Sequence, residues 1–188
     1  MSQCEAIVIG ASAGAIEALS SLLPALPHHC RVPVFVVVHL PADRPSLLAE
    51  IFRTKVALPV CEAEDKEPIH PGTIYFAPPN YHLLVDTADT LALSNDELVK
   101  FSRPSIDVLF ESAADVYGPS LLGIILTGAN DDGAQGLAAI AREGGMAIVQ
   151  EATEAQSPMM PIAAHFACPS AKSLRLEEIR TVLQEAVQ

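Results

Sequence analysis

The stretch "AIVIGASAGAIEALSSLL", residues 6–23, begins with the pattern of a buried strand and ends with the pattern of a helix. The residues before Gly10 are continuously apolar, whereas apolar residues recur at helical spacing after Gly14. A continuously apolar strand is typical of a parallel sheet that is covered on both faces. The turn between the two elements consists of small residues and carries one hydroxyl, that of Ser12. This turn is suited either to hold a nucleotide phosphate or to hold a nucleophile.

Strand patterns and helix patterns alternate along most of the chain. Strands are predicted at residues 5–10, 33–40, 58–63, 121–128 and 146–151. Helices are predicted at residues 14–26, 44–55, 104–118, 133–145 and 176–187. This alternation predicts an α/β fold with a doubly wound, mostly parallel sheet in a three-layer α/β/α arrangement.

The middle of the chain follows a different pattern. Three short alternating runs, at residues 72–80, 82–87 and 90–95, are broken by Pro, Asn and Asp. Such runs predict an antiparallel β insertion within the α/β pattern. Since no linker or repeat divides the sequence, residues 1–188 are expected to form a single domain.

Composition and charge restrict the classes of function. The chain has 188 residues and a net charge of −12, which argues against binding of nucleic acid or of anionic lipid. No signal peptide and no run long enough to span a membrane is present, so we expect a cytoplasmic protein. The cysteines are scattered without metal-ligand spacing, so neither a metal nor another cofactor is expected. They are read as reduced thiols, and a cysteine nucleophile is the lesser alternative.

Three of the predicted strands end in residues that are able to carry chemistry. The first strand leads to Ser12, the second leads to His39, and the "GIILTG" strand leads to Asp131 and Asp132. The carboxyl ends of parallel strands lie along one edge of a sheet, where ligands bind in such folds. A hydroxyl, an imidazole and a carboxylate at one edge are the components of a Ser–His–Asp site.

Each of these residues also has a purely structural interpretation. Ser12 is a possible N-cap of the following helix. His39 is able to bond to backbone at the end of its strand, and the "NDDG" segment reads as a turn with Gly133 in the left-handed conformation. Only the convergence of the three segments on one edge favours a catalytic interpretation.

The spacing around Ser12 separates two functional hypotheses. Residues 10–14 fit G-x-S-x-G, in which a sharp turn exposes a nucleophilic serine. A dinucleotide-binding protein would instead have G-x-G-x-x-G and an acid at the end of the second strand, where this chain has His39. Nucleotide binding therefore stays open as the weaker alternative.

Longer segments carry a family resemblance. The chain resembles the catalytic domain of the chemotaxis receptor protein-glutamate methylesterase (CheB) family. The segments that carry this resemblance are "IVIGASAG", "VVVHLP", "CEAEDKEPIHPGTIYFAPPNYHL", "FSRPSIDVLFESAA", "GIILTGANDDGAQGL" and "SPMMPIAA". They follow one another in order over nearly the whole chain.

The resemblance implies a reaction and a role for each residue of the site. Members hydrolyse γ-glutamyl methyl esters on chemoreceptors, and many also deamidate receptor glutamines. By motif, Ser12 is the nucleophile, His39 the general base and Asp132, directly before Gly133, the orienting acid. The resemblance also implies that the backbone N–H of Ala13 and the Ala129 region hold the oxyanion.

Two departures from the family pattern affect these expectations. Residues 129–130 are Ala-Asn where members often have Met-Gly, which affects the second oxyanion donor and the edge of the substrate site. The familiar member also has an N-terminal receiver domain, whereas the first strand here follows directly after Met1. The sequence therefore predicts a catalytic domain with no receiver domain in this chain and with an unknown regulator. Either the natural protein lacks the receiver, or this chain is a part of a longer protein.

The expected substrate is a chemoreceptor or a related signalling protein. Arg103 and Arg44 are the basic residues predicted to guide a Glu-rich receptor helix to the site. Solvated surface charges are the alternative interpretation of both arginines. A non-catalytic signalling module with the same fold remains a third functional hypothesis.

Overall fold

A computed structural model describes residues 4–39 and 45–187. The strands are β1 (Ala6–Ala11), β2 (Val34–Val38), β3 (Val60–Glu62), β4 (Ile74–Phe76), β5 (His82–Thr87), β6 (Thr90–Ser94), β7 (Leu121–Ile125), β8 (Met146–Gln150) and β9 (Lys172–Leu174). The helices are α1 (Ala15–Leu22), α2 (Leu48–Arg53), α3 (Ile106–Tyr117), α4 (Ala134–Arg142), α5 (Met159–Ala167) and α6 (Leu176–Ala186). Within the described ranges, no helix is long and apolar enough to cross a membrane.

Seven strands form one parallel sheet in the order β3-β4-β2-β1-β7-β8-β9. Strand β1 lies at the centre, where Ile9 is paired with Val36 of β2 on one side and Ile124 of β7 on the other. The chain leaves β1 toward β2 and later returns to the opposite side of β1 as β7. The order of the strands therefore reverses at β1, and ligands of such sheets bind at the carboxyl end of this reversal point.

The two faces of the sheet carry separate apolar cores. Ile7 and Ile9 of β1 pack with residues of α1, α2 and α6 on one face. Ala6 and Val8 pack with residues of α3, α4 and α5 on the other face. Both faces are therefore covered, which explains the continuous apolar runs of the central strands. The prediction of a doubly wound three-layer α/β/α domain is confirmed by this arrangement.

The prediction for the middle of the chain was wrong for one of its three segments. Residues 72–80 contain β4, which is parallel and lies between β3 and β2 in the main sheet. Its three residues are buried, but so short a run shows no clear alternation of apolar and polar residues. The prolines that follow it are typical of an edge strand, which favoured the wrong prediction. Strands β5 and β6 do form an antiparallel pair, as predicted, in a separate two-stranded sheet that packs against α3.

The sequence patterns missed helix α5 and strand β9. Helix α5 contains Pro161 and follows Pro158, and prolines argue against a helix in a sequence pattern. Pro161 nevertheless lies in the first turn, where the missing N–H group has no partner within the helix. Strand β9 is a three-residue strand at the edge of the sheet, and its exposed side chains give no apolar run.

Candidate active site

The segments after the three central strands are held together by backbone hydrogen bonds. The N–H of Ser12 donates to the carbonyl of Thr127 at 2.9 Å, which connects the segments after β1 and β7. The N–H of His39 donates to the carbonyl of Ala11 at 3.2 Å, which connects the segment after β2 to the last residue of β1. The sheet pairing thus continues past the strand ends and brings the predicted residues of the site to one edge.

His39 and Asp132 form a close pair at this edge. The Nε2 atom of His39 lies 2.7 Å from Oδ2 of Asp132, and the Asp132 side chain is fully buried. A carboxylate only accepts, so Nε2 is the donor and carries a proton in this contact. His39 therefore bonds to a buried acid rather than to the backbone, and its second ring nitrogen, Nδ1, is available for chemistry.

The carboxylate of Asp132 accepts four hydrogen bonds. Besides His39, the donors are Ser105 Oγ at 2.8 Å, Ile106 N at 2.6 Å and Asp107 N at 3.1 Å. Burial alone would raise the pKa of Asp132, but these hydrogen bonds outweigh burial and hold the pKa below its ordinary value. Because Ile106 and Asp107 begin α3, Asp132 also caps this helix from a distant loop.

The neighbouring carboxylate of Asp131 has different surroundings. Its side chain is exposed and lies 3.3 Å from the ammonium of Lys100, which also contacts the Asp131 carbonyl at 2.9 Å. The same ammonium lies 3.0 Å from the carboxylate of Asp107. Burial would lower the pKa of Lys100, but these acidic partners raise it. Lys100 thus holds the exposed side of the loop that carries Asp132, whereas the Asp132 side chain points into the protein.

The turn that holds Ser12 is fixed by its glycine. Gly14 occupies the N-cap position of α1 with φ of 83°, and no side chain caps this helix. The N-cap interpretation of Ser12 was therefore wrong. A Cβ atom at Gly14 would lie 2.9 Å from the Cβ atom of Gln156, so a larger residue would be crowded there as well as strained by the positive φ. Ser12 is half-buried, and among the described residues no hydrogen bond involves its hydroxyl, including any to His39.

The predicted oxyanion donors lie in the two loops that face each other. Ala13 and Ala129 are both exposed, and no partner for either backbone N–H is seen among the described residues. Thr127 connects the two loops, because its hydroxyl donates to the carbonyl of Ala13 at 2.8 Å. Thr127 is held in turn by Gln150, whose side-chain oxygen accepts the Thr127 N–H at 2.9 Å.

Sequence reasoning missed several polar residues around the site. Ser105 occupies the N-cap position of α3, but its hydroxyl donates to Asp132, and its N–H donates to Nδ1 of His82 at 3.1 Å. His82 is buried, and its Nε2 donates to the carbonyl of Glu97 at 3.0 Å. A polar residue in an apolar strand, as His82 is, was the available signal for such a network. Thr127 and Gln150 were missed because they lie within or next to buried strands.

Of the two arginines predicted to contact the substrate, the structure describes only Arg103. Arg103 precedes the site residue Ser105 by two positions, and its guanidinium donates to Oδ1 of Asn80 at 2.7 and 3.2 Å. It also donates to the carbonyls of Asn95 and Asp96, each at 2.8 Å. Arg103 therefore braces neighbouring loops and is not a freely solvated charge. Arg44 lies outside the described residues.

Other chemistries find little support at this site. Burial raises the pKa of both Cys4 and Cys61 to about 11, so these thiols are protonated near neutral pH and are poor nucleophiles. Among residues 4–39 and 45–187, no three His, Cys, Asp or Glu side chains are grouped in a way that would hold a metal ion.

Comparison with known proteins identifies the family to which this chain belongs. The family model described as CheB methylesterase matches residues 7–183. The chain belongs to the CheB methylesterase family. The crystal structure of the Thermotoga maritima CheB methylesterase catalytic domain is similar, with a TM-score of 0.91 and 29% sequence identity. That similarity covers 98% of this chain and 100% of the Thermotoga chain.

Relatives within the CheB family have names that state two activities. A relative from Leptospira interrogans, named for protein-glutamate methylesterase and protein-glutamine glutaminase, is 47% identical over 93% of this chain and 91% of its own length. A Clostridium acetobutylicum protein with the same two activities in its name is 36% identical over 85% of this chain, which covers 46% of that relative. These comparisons do not favour nucleotide binding or a non-catalytic module.

Proposed function

We propose that this protein is a cytoplasmic serine hydrolase that demethylates γ-glutamyl methyl esters on chemoreceptor-type proteins and releases methanol. The observation that carries the proposal is the 2.7 Å contact between His39 and the buried Asp132, at the sheet edge where the turn with Ser12 emerges. Membership of the CheB methylesterase family supplies the substrate class. The same chemistry acting on a glutamine amide would release ammonia, in line with the second activity in the relatives' names.

The proposed reaction proceeds in two halves. Ser12 Oγ attacks the ester carbonyl carbon while Nδ1 of His39 takes the hydroxyl proton. The tetrahedral intermediate collapses to a glutamyl ester of Ser12, and the proton on His39 passes to the leaving methoxide, which departs as methanol. Water then attacks this ester, His39 takes a proton from the water, and Ser12 leaves with that proton restored.

The other groups of the site stabilise charge during these steps. Asp132 keeps the His39 ring oriented and stabilises its positive form, which exists after each proton transfer. The N–H groups of Ala13 and Ala129 are the proposed donors to the negative oxygen of the intermediate. This proposal is supported by the exposure of both alanines and by the lack of a hydrogen-bond partner for either N–H group among the described residues.

The proposed substrate is an exposed protein helix rather than an enclosed small molecule. A surface groove lined by Asp131, Ser157, Met159, Ile162 and Phe166 begins beside the site and runs along α5. Its apolar residues are largely exposed, which suits contact with an apolar stripe of a receptor helix. Arg103 and Arg44 remain the proposed basic contacts to its acidic residues, with Arg103 acting in part through the loops that it braces.

The decisive experiment measures methanol release from a methylated receptor fragment. We expect Ser12→Ala to lower kcat by about 10³-fold or more, because the covalent path is lost. His39→Ala is expected to cost nearly as much, and the double variant little more than either, because the two residues act as one unit. Ser20→Ala is the matched control, since Ser20 lies in α1 but away from the site and is expected to leave the rate unchanged.

The alternatives give different results in the same assay. Wild-type protein that binds the receptor fragment without releasing methanol or ammonia would indicate a non-catalytic module. Undiminished turnover by Ser12→Ala would contradict the proposed nucleophile. Nucleotide retained by the purified protein would revive the nucleotide-binding hypothesis.

A further inference from the structure

The side chain of Asn130 lies between His39 and the backbone of Asp132. Its Oδ1 accepts the N–H of Asp132 at 3.2 Å, and its Nδ2 lies 3.4 Å from Nδ1 of His39. Asn130 therefore contacts the ring nitrogen that faces away from the carboxylate, which is the nitrogen that the proposed mechanism uses as the base.

The backbone fixes which end of the Asn130 amide faces the ring. The N–H of Asp132 is only able to donate, so the amide atom opposite it must be the oxygen. The NH₂ group consequently points to His39, and because it has no lone pair to offer, Nδ1 must be the acceptor. The other ring nitrogen already donates to the Asp132 carboxylate. The two contacts together select the form of His39 with its proton on Nε2 and a lone pair on Nδ1.

We propose that Asn130 is a positioning residue that keeps Nδ1 of His39 unprotonated and oriented between turnovers. This inference rests on the proposed role of His39 as general base. The contact of 3.4 Å is long for a hydrogen bond, so the Ser12 hydroxyl displaces the amide at small cost when it donates to Nδ1. A protonated Nδ1 would face the NH₂ group donor to donor, which favours rapid transfer of the proton to the leaving group.

An isosteric substitution separates this role from simple bracing of the loop. Asn130→Asp keeps the shape and the oxygen that accepts the Asp132 N–H, but it replaces the NH₂ donor by an acceptor. The new carboxylate oxygen would bind a proton on Nδ1 and hold His39 in its charged form, which is not a base. If Asn130 only braced the loop, Asn130→Asp would keep most of the activity and Asn130→Ala would lose more.

We therefore expect Asn130→Asp to lower kcat on a small methyl ester at pH 7 at least tenfold more than Asn130→Ala does. The activity of Asn130→Asp should recover as the pH is raised, because base removes the trapped proton. Gln184→Glu controls for the added negative charge, and it should leave the rate and its pH profile unchanged. Gln184 is exposed near the end of α6, which adjoins the amino ends of β7 and β8, at the edge of the sheet opposite the site.

The surrounding charges bear on this pH profile. Among the described residues, Asp132 is the charged group in contact with the His39 ring. The exposed Asp131 and its partner Lys100 adjoin Asp132 in the chain and in space. None of these groups is changed in the Asn130 variants. If the fall in rate on the acid side of the pH profile moves to another pH, the substituted side chain is therefore the cause.

Two results would overturn the inference. One is an Asn130→Asp variant with wild-type rates, or with the same loss and the same pH profile as Asn130→Ala. The other is a ¹⁵N spectrum of the wild-type protein that shows the His39 proton on Nδ1, a measurement that does not depend on the folding of any variant. If Ser12→Ala is inactive while either result is obtained, only the role of Asn130 fails; if Ser12→Ala is fully active, the proposed function itself fails.

Discussion

Two adjacent residues, Asp131 and Asp132, show how local surroundings separate identical side chains. The Asp132 carboxylate is buried and bonded to His39, whereas the Asp131 carboxylate is exposed and paired with Lys100. We expect Asp132→Asn to lower kcat by about 10³- to 10⁴-fold, because an amide supports the wrong tautomer of the imidazole. Asp131→Asn should cost less than about tenfold, since Lys100 keeps its contact with the Asp131 carbonyl. Esterase assays that gave the opposite ranking would contradict the assignment of the acid.

At this scale the sequence predicted which residues meet but not how they are held. Ser12, His39 and Asp132 each follow a parallel strand, and strand ends of a parallel sheet share one edge, so their proximity follows from the fold. The contacts of Ser105 and Asn130 with the site depend on the directions of individual side chains in loops. No periodicity encodes such directions, and the hydrogen bond from Ser105 to Asp132 spans 27 positions of the chain.

Among the secondary-structure elements, most strands and helices were predicted, whereas α5 and β9 were missed and β4 was assigned the wrong pairing. Strands β1, β2 and β7 are continuously apolar because both of their faces are buried, and that pattern is visible in the sequence. Strand β4 is equally buried, but its three residues are too few to distinguish a parallel strand from an antiparallel one. Helix α5 was hidden by prolines that the first turn of a helix tolerates.

Helix α5 is also the element on which we expect recognition of a protein substrate to depend. Ile162 and Phe166 are one helical turn apart, are 55% and 87% exposed, and line the groove beside the site. Phe166→Ala and Ile162→Ala should each raise KM for a receptor fragment by about fivefold to thirtyfold, the loss expected for an apolar contact of about 1–2 kcal/mol. Hydrolysis of a small methyl ester should stay unchanged.

His165→Ala is the matched control for these variants. His165 lies on the same helix and is exposed, but it does not line the groove. It should therefore leave KM for both substrates unchanged. Equal effects of Phe166→Ala on the receptor fragment and on the small ester would remove α5 from protein recognition.

For the molecule as a whole, the fold class was predicted and is confirmed, because alternating strands and helices leave few ways to cover both faces of a parallel sheet. The stability of the whole molecule should also depend on Asp132. The pKa of this buried group lies below its ordinary value in the folded state, so the unfolded chain binds more protons between these two values. The free energy of unfolding must then fall as the pH is lowered through this window.

The variant that tests this dependence is Asp132→Asn. Urea unfolding should show it to be about 1–3 kcal/mol less stable than the wild type at pH 7, because an amide satisfies fewer of the buried donors. Between about pH 5 and pH 3, its stability should decline less steeply than that of the wild type. Asp131→Asn should follow the wild-type curve. Parallel curves for Asp132→Asn and the wild type would show that Asp132 does not contribute to acid unfolding.

The cap that Asp132 places on α3 has a consequence for the history of such proteins. Catalytic groups commonly reduce stability, and selection tends to discard them once activity is no longer needed. Asp132 differs, because the first turn of α3 needs its oxygens whether or not a substrate is turned over. A lineage that had lost esterase activity would be expected to retain this aspartate and to let Ser12 and His39 drift. In such a descendant the aspartate would show only that α3 is still capped, whereas the serine and the histidine would be the residues that report activity.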